Sequence, residues 1–207
     1  MAKQNKTASG GGRTVSYMLN NKRVTREIGL FKDTQSIRQL AVREATRIST
    51  AFLKTVRDFI EITFEPAAAL RKDNAWNVAS SLIRKEAIKG LYPEQQIDFS
   101  SLCLSQGDLP LVNDLELKVG TDQLEYSWNP ANTQKGMFWN DKVMLLVYFP
   151  EIKKAEFILN GANRNEGKQI FKPLKFALPS VIETYLTFIS SNHKTVSDSI
   201  YTGQLIW

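Results

Sequence analysis

The chain has 207 residues, 43% of them hydrophobic and 10% aromatic, enough apolar material for a sizeable core and too much for wholesale disorder. Its 27 Lys and Arg against 21 Asp and Glu leave a formal net charge of +6 at pH 7. One cysteine excludes an internal disulfide, and with one histidine it excludes a zinc site of the usual kind.

The charge is concentrated at the start. Residues 1–57 hold twelve basic and three acidic side chains, or +9, and the remainder carries −3. That asymmetry predicts a segment that meets a negative partner, attached to a nearly neutral body. The N-terminus, Met-Ala-Lys-Gln-Asn-Lys, lacks the apolar stretch of a signal peptide, so cytoplasmic synthesis is expected. Residues 1–33 form a basic arm hinged at Ser9-Gly10-Gly11-Gly12-Arg13. Between Thr14 and Leu30 the apolar Val15, Tyr17, Leu19, Val24 and Ile28 are interrupted by Lys22, Arg23 and Arg26, a poor alternation that predicts an extended, mobile segment on a free monomer.

A helical hairpin is expected over residues 34–92. Asp33 or Thr34 suits the N-cap of a long helix running to about Ile60, with Ile37, Ala41, Ala45, Ile48, Phe52, Val56 and Phe59 on one broad face. Arg43, Arg47, Lys54 and Arg57 fall together on the opposite side at the same helical spacing. Pro66 interrupts the pattern, and a second helix is expected from Asn74 to Lys89, with Gly90 just past its end and Pro93 preventing continuation.

Over residues 93–207 the period changes to two. A strand is expected at 97–105, followed by runs at 115–119, 123–128, 142–149, 155–159, 168–171, 183–190 and 195–201, separated by Asn-Pro, Gly-Ala-Asn, Glu-Gly and Ser-Asn turns. Short strands at that spacing with no intervening helix predict an antiparallel β-sandwich, so the fold class is α+β. The longest apolar run, Val143 to Phe149, is far too short to span a bilayer as a helix.

Gln123-Leu124-Glu125-Tyr126-Ser127-Trp128-Asn129-Pro130 resembles the second strand of a fibronectin type III domain, whose core Trp precedes an Asx/Pro turn. The segments Glu183 to Asn192 and Thr195 to Ser199 are similar to its last two strands, with Tyr185 in the tyrosine-corner region. This resemblance, over roughly residues 110–203, implies a fold and no function. The whole chain also resembles an uncharacterised family of Bacteroidota proteins of this length. The shared pieces are a glycine-rich N-terminus, Ala87-Ile88-Lys89-Gly90-Leu91-Tyr92-Pro93, Ile97-Asp98-Phe99-Ser100, Gln106-Gly107-Asp108-Leu109-Pro110, Asp141 to Tyr148 and Val196 to Gly203. That family implies no catalytic residues, and the arm here is richer in Lys and Arg than the resemblance leads one to expect.

No catalytic signature competes with the charge. His193 sits in an apparent turn without a paired nucleophile, Cys103 has apolar neighbours that predict a structural thiol, and the glycine run lacks the Lys-Ser/Thr of a phosphate-binding loop. No cofactor or metal is expected, and no enzymatic activity. The residues expected to meet nucleic acid or another polyanion are Lys3, Lys6, Arg13, Lys22, Arg23, Arg26, Arg43, Arg47, Lys54 and Arg57, with Tyr17 and Phe31 able to stack on unpaired bases. The same charges also suit a plain solvated face. Val15, Tyr17, Leu19, Val24 and Ile28 can instead add a strand to a neighbouring subunit. Three readings stand: a self-assembling structural subunit, as in a virion capsid or filament, whose partners are itself and DNA or RNA; a nucleic-acid binder that does not polymerise; and an exported adhesion module.

Overall fold

A computed structural model describes residues 14–19, 21–28, 35–131, 134–174 and 179–207. It is a mixed α+β protein whose described residues form four helices and eleven strands, all paired antiparallel. Two compact units divide at Ser36, so the N-terminal strands and the rest of the chain are taken separately.

In the first unit, β1 (Thr14–Leu19) and β2 (Lys22–Glu27) form a hairpin. This differs from the unpaired arm predicted from poor alternation. The period-two signal is clear in β1, where Val15, Tyr17 and Leu19 alternate with polar or flexible residues. In β2 it is masked because Lys22 and Arg26 occupy positions beside Val24 on the same face. Asn21, at φ 60, supplies the left-handed turn conformation that two antiparallel strands need.

The second unit begins with α1 (Ile37–Thr55), α2 (Arg57–Thr63), α3 (Glu65–Arg71) and α4 (Ala75–Glu86). The expected long helix is thus two helices, broken at Val56. The cause is local: the Thr55 hydroxyl donates to the Phe52 carbonyl at 2.7 Å, taking the acceptor that the Val56 N–H would use, and that N–H turns to Leu53 O at 3.2 Å. The proposed N-cap at Asp33 or Thr34 lies outside the described residues, and Ile37 is exposed instead of joining the apolar face. Pro66 stands in the first turn of α3, where a missing N–H costs nothing, so it opens a helix there. Asn74 caps α4 by accepting from the Asn77 N–H at 2.8 Å. The helix ends at Glu86, earlier than expected, because Ile88–Lys89 (β3) pairs with Gln96–Ile97 (β4). Gly90, at φ 91, therefore belongs to the turn between those strands, where a Cβ would press on the Glu94 carbonyl.

The expected strand at 97–105 is replaced by a 3-10 turn at Phe99–Ser101, capped by the Asp98 carboxylate, which accepts from Ser100 and Ser101. Then follow β5 (Glu116–Val119), β6 (Leu124–Ser127), β7 (Lys142–Phe149), β8 (Lys154–Ile158), β9 (Lys168–Phe171), β10 (Val181–Ile189) and β11 (Ile200–Ile206). Regular pairing of the last strand starts five residues later than expected: Val196 makes an isolated bridge with Ile189, and the ladder lapses where the Ser197 hydroxyl accepts from the Phe188 N–H and the Ser199 hydroxyl accepts from the Leu104 N–H. The sheets run β5-β6-β9 and β11-β10-β7-β8, the three-on-four arrangement of a fibronectin-III-like sandwich.

The four-stranded sheet is covered on both faces. Val143, Leu145, Val147 and Phe149 of β7 join Leu124, Tyr126, Trp128, Phe171 and Phe188 in the core between the sheets. Met144, Leu146 and Tyr148 point the other way into a core with Phe52, Val56, Phe59, Ile60 and Ile83 of the helices. That double burial is why β7 reads as an unbroken apolar run. The expected boundary at 92–93 therefore passes through one shared core, and helices and sheets make layers of a single unit. Tyr185 forms no tyrosine corner. Its hydroxyl donates to Phe99 O at 2.7 Å and ties β10 to the helical layer.

Candidate functional site

Of the basic residues singled out from the sequence, the described ones fall on the hairpin and on α1 and α2. In the hairpin, pairing of Val15 with Arg26, Tyr17 with Val24 and Leu19 with Lys22 puts an apolar stripe and two cations on one face. The other face carries Arg23 among Thr14, Ser16, Met18, Thr25 and Glu27, with Ser16 and Thr25 sharing a 2.8 Å hydroxyl bond. Tyr17, Met18, Leu19 and Ile28 are exposed. Lys3, Lys6, Arg13 and Phe31 lie outside the described residues.

On the helices the stripe is weaker than its sequence. Arg47 donates twice to Glu44, at 2.8 and 2.6 Å, and Arg57 donates to Glu61 at 2.7 Å. The hydrogen-bonded partners push both guanidinium pKa values up and the Glu44 carboxyl down, so these cations are held charged and locally neutralised. Arg43 and Lys54 make no ion pair among the described residues. Arg57 belongs to α2, so the break at Val56 removes it from the helical register that aligned it with the other three.

A second set of groups, which sequence reasoning missed, gathers at the end of the sandwich. Arg164 and Asp141 are each about 1% exposed and are linked by a 3.0 Å bond from Arg164 Nε to Asp141 Oδ2. The guanidinium also donates to Pro110 O at 2.9 Å and lies 4.3 Å above the Phe188 ring. Trp128 meets that ring edge-on at 5.4 Å and donates from its indole to Arg164 O at 2.7 Å. Burial lowers the Arg164 pKa, and Asp141 opposes the shift. Just outside, Phe138 and Trp139 are each 59% exposed, their loop held by Phe138 N–H on Asp141 Oδ2 and by Asn140 on Ser191. The only sequence signal for this cluster is the Trp139-Asn140-Asp141 piece before an apolar strand; nothing near Arg164 marks it as buried.

A groove of about 700 Å³ lies between α3 and the turn before β11. Arg71 and Lys194 on its walls face Asp108 and Asp198, so neither sign of charge prevails. Arg71 donates to Gln106 at 2.8 Å, and Asp198 accepts from the Gly107 N–H at 3.1 Å. His193 is exposed in its turn, at φ 58. Cys103 donates to Ser105 O at 3.0 Å, and burial pushes its thiol pKa up, away from nucleophilic character. Among the described residues no three His, Cys, Asp or Glu side chains gather as a metal site, and no helix is long and apolar enough to cross a membrane.

The fold and these surfaces define an α+β protein: a fibronectin-III-like sandwich with a helical layer on its larger sheet and, as a separate unit, a basic hairpin. Its residues 11–203 match the model of DUF6266, described as a family of unknown function, and the chain belongs to that family. No curated protein and no solved structure matches the chain.

Proposed function

We infer that the protein is a non-enzymatic structural subunit, of virion or filament type, that self-associates through its N-terminal segment and helices and presents a basic surface to nucleic acid. The hairpin carries this reading. A two-stranded sheet is marginal in water unless its apolar face is covered, and here Val15, Tyr17, Leu19 and Val24 form such a face, bordered by Lys22 and Arg26. An apolar stripe gains by meeting protein, and cations gain by displacing counterions from phosphate. One hairpin thus suits two partners at once, and the sandwich supplies the rigid body that an assembly repeats.

The mass of the full chain in solution, with and without single-stranded DNA, tests the assembly half. A mass above the monomer is expected, and a strict monomer in both conditions overturns it, leaving a binder that does not polymerise. Binding titrated against salt tests the charge half. Each phosphate contact on a single strand adds about 0.7 to the slope of log K against log salt. Replacing Lys22, Arg23 and Arg26 together by Gln is expected to lower that slope by about 2. An unchanged slope and affinity would remove the hairpin as the contact.

A further inference from the structure

The sandwich has four edge strands, β5, β9, β8 and β11. An edge strand invites addition of another strand unless charge, proline or a covering segment blocks it. Three of the edges are blocked by charge: β5 by Glu116 and Lys118, β9 by Lys168, β8 by Lys154 and Glu156. The fourth is different. β11, Ile200-Tyr201-Thr202-Gly203-Gln204-Leu205-Ile206, contains neither a charge nor a proline, and among the described residues β10 is its one neighbour in the sheet. Ser105 and the 3-10 turn at Phe99–Ser101 lie against its start, Ser105 O accepting from the Ser199 N–H. A bulge follows at the Tyr201–Gly203 register shift. Beyond the bulge, Gly203–Ile206 runs regularly opposite Val181–Thr184, and Ile206 is 67% exposed.

The hairpin shows the same asymmetry. β2 carries Lys22, Arg23, Arg26 and Glu27, which protect its outer edge. β1, Thr14-Val15-Ser16-Tyr17-Met18-Leu19, has no charge and no proline, and its side away from β2 has no strand partner among the described residues. Both uncharged edges occur in every copy of the chain, one in each compact unit.

We propose that β1 of one copy adds to β11 of a second copy, extending the four-stranded sheet by two strands with the basic β2 outermost. The inference rests on the self-association proposed above and names its two surfaces. Backbone hydrogen bonds along Gly203–Ile206 supply the affinity, and the stripe of Val15, Tyr17 and Leu19 continues the face that carries Leu205, which packs against the core between the sheets, while Met18 and Ile206 lie on the other face. The charges of β2 do two jobs in this arrangement. They end the sheet, so that strand addition stops there, and they place Lys22, Arg23 and Arg26 along a rim open to phosphate. Because donor and acceptor edges differ, the contact is head-to-tail, and it closes into a ring or swapped dimer or runs on as a filament according to the rotation between copies.

The test uses two single variants of the full chain, Met18→Lys and Ile206→Lys, each placing a charge at a well exposed position on one edge. Mass is measured for each alone and for an equimolar mixture, with far-ultraviolet circular dichroism checking that both stay folded. Each variant alone is expected to be a monomer where the wild type is assembled. The mixture is expected to regain dimers and nothing larger, since β1 of the Ile206→Lys chain can still add to β11 of the Met18→Lys chain. Assembly that survives Ile206→Lys but is lost on Met18→Lys would overturn β11 as the acceptor and leave self-association through the hairpin standing. Variants that change thermal stability without changing mass would show the hairpin closing on its own β11, which overturns addition between copies. A monomeric wild type would overturn both this inference and the reading beneath it.

Discussion

Arg164 and Asp141 show how one residue pair can govern the end of a sandwich. The guanidinium holds the loop before β5 through Pro110 O and stacks on Phe188, while the carboxylate holds the loop before β7 through the Phe138 N–H. Removing one partner leaves a buried charge uncompensated, a loss of about 3–5 kcal/mol. Arg164→Met is therefore expected to lower stability by that amount, read from urea unfolding midpoints. The double variant Asp141→Leu with Arg164→Met should recover much of the loss, because a buried ion pair is often replaceable by apolar residues of similar volume. Recovery should stop short of complete: the double variant leaves the part-buried Phe138 N–H and Pro110 carbonyl without these partners, and an unsatisfied group costs up to about 1–3 kcal/mol. A double variant as unstable as the single one would show that the charges themselves are not what holds the loops. At this scale the sequence was legible where chemistry is intrinsic to the residue. Trp128 was placed in the core by resemblance, since the Trp-Asn-Pro ending of its strand is similar to that of a fibronectin type III domain, and it is buried there. Arg164 could not, because only the third dimension reveals that an arginine in a polar turn lies over a phenylalanine.

Elements were legible where burial and periodicity agree. Val143 to Phe149 and Glu183 to Ile189 appear as strands in both readings, the first because double-sided burial leaves an unbroken apolar run, the second because its β-branched and aromatic residues run on with no turn residue among them. They were misread where side chains compete with the backbone for hydrogen bonds. Thr55 ends α1 by occupying the Phe52 carbonyl, and Ser197 and Ser199 delay β11 by bonding across to Phe188 and Leu104. The helical face itself was read largely correctly, and its energetic centre is Phe52. That ring meets Tyr148 edge-on at 4.9 Å and Phe99 at 6.4 Å, which joins α1 to β7 and to the 3-10 turn. Truncating a buried phenylalanine costs about 3–5 kcal/mol, through lost transfer energy and the cavity left behind. Phe52→Ala is expected to show that loss in denaturant unfolding. A cost below about 1 kcal/mol would mean that the helices rest on the sheet without close packing.

For the whole molecule, the consequence of these layers is a question of cooperativity. Helices and sandwich share one core through Met144, Leu146, Tyr148, Tyr185 and Ile189, strand residues whose side chains face the helical layer. If that layer unfolded first, it would strip one face of β7 and β10 and expose their apolar side chains to water, at about 25 cal/mol for each Å² uncovered. The Tyr185 bond to Phe99 O and the Thr63 bonds to Phe59 O and Leu104 O would also break. Residues 37–207 are therefore expected to unfold in one transition. In the full chain, loss of helical ellipticity in the far ultraviolet should coincide in denaturant with the change in tryptophan fluorescence, which reports in part on Trp128 between the sheets. Helical signal lost at lower denaturant than the fluorescence change would divide the molecule near residue 92, as strand periodicity alone had suggested. Coincident midpoints would also explain why a fibronectin-like sandwich in this chain is preceded by helices at all: its larger sheet is apolar on both sides and needs them as a cover.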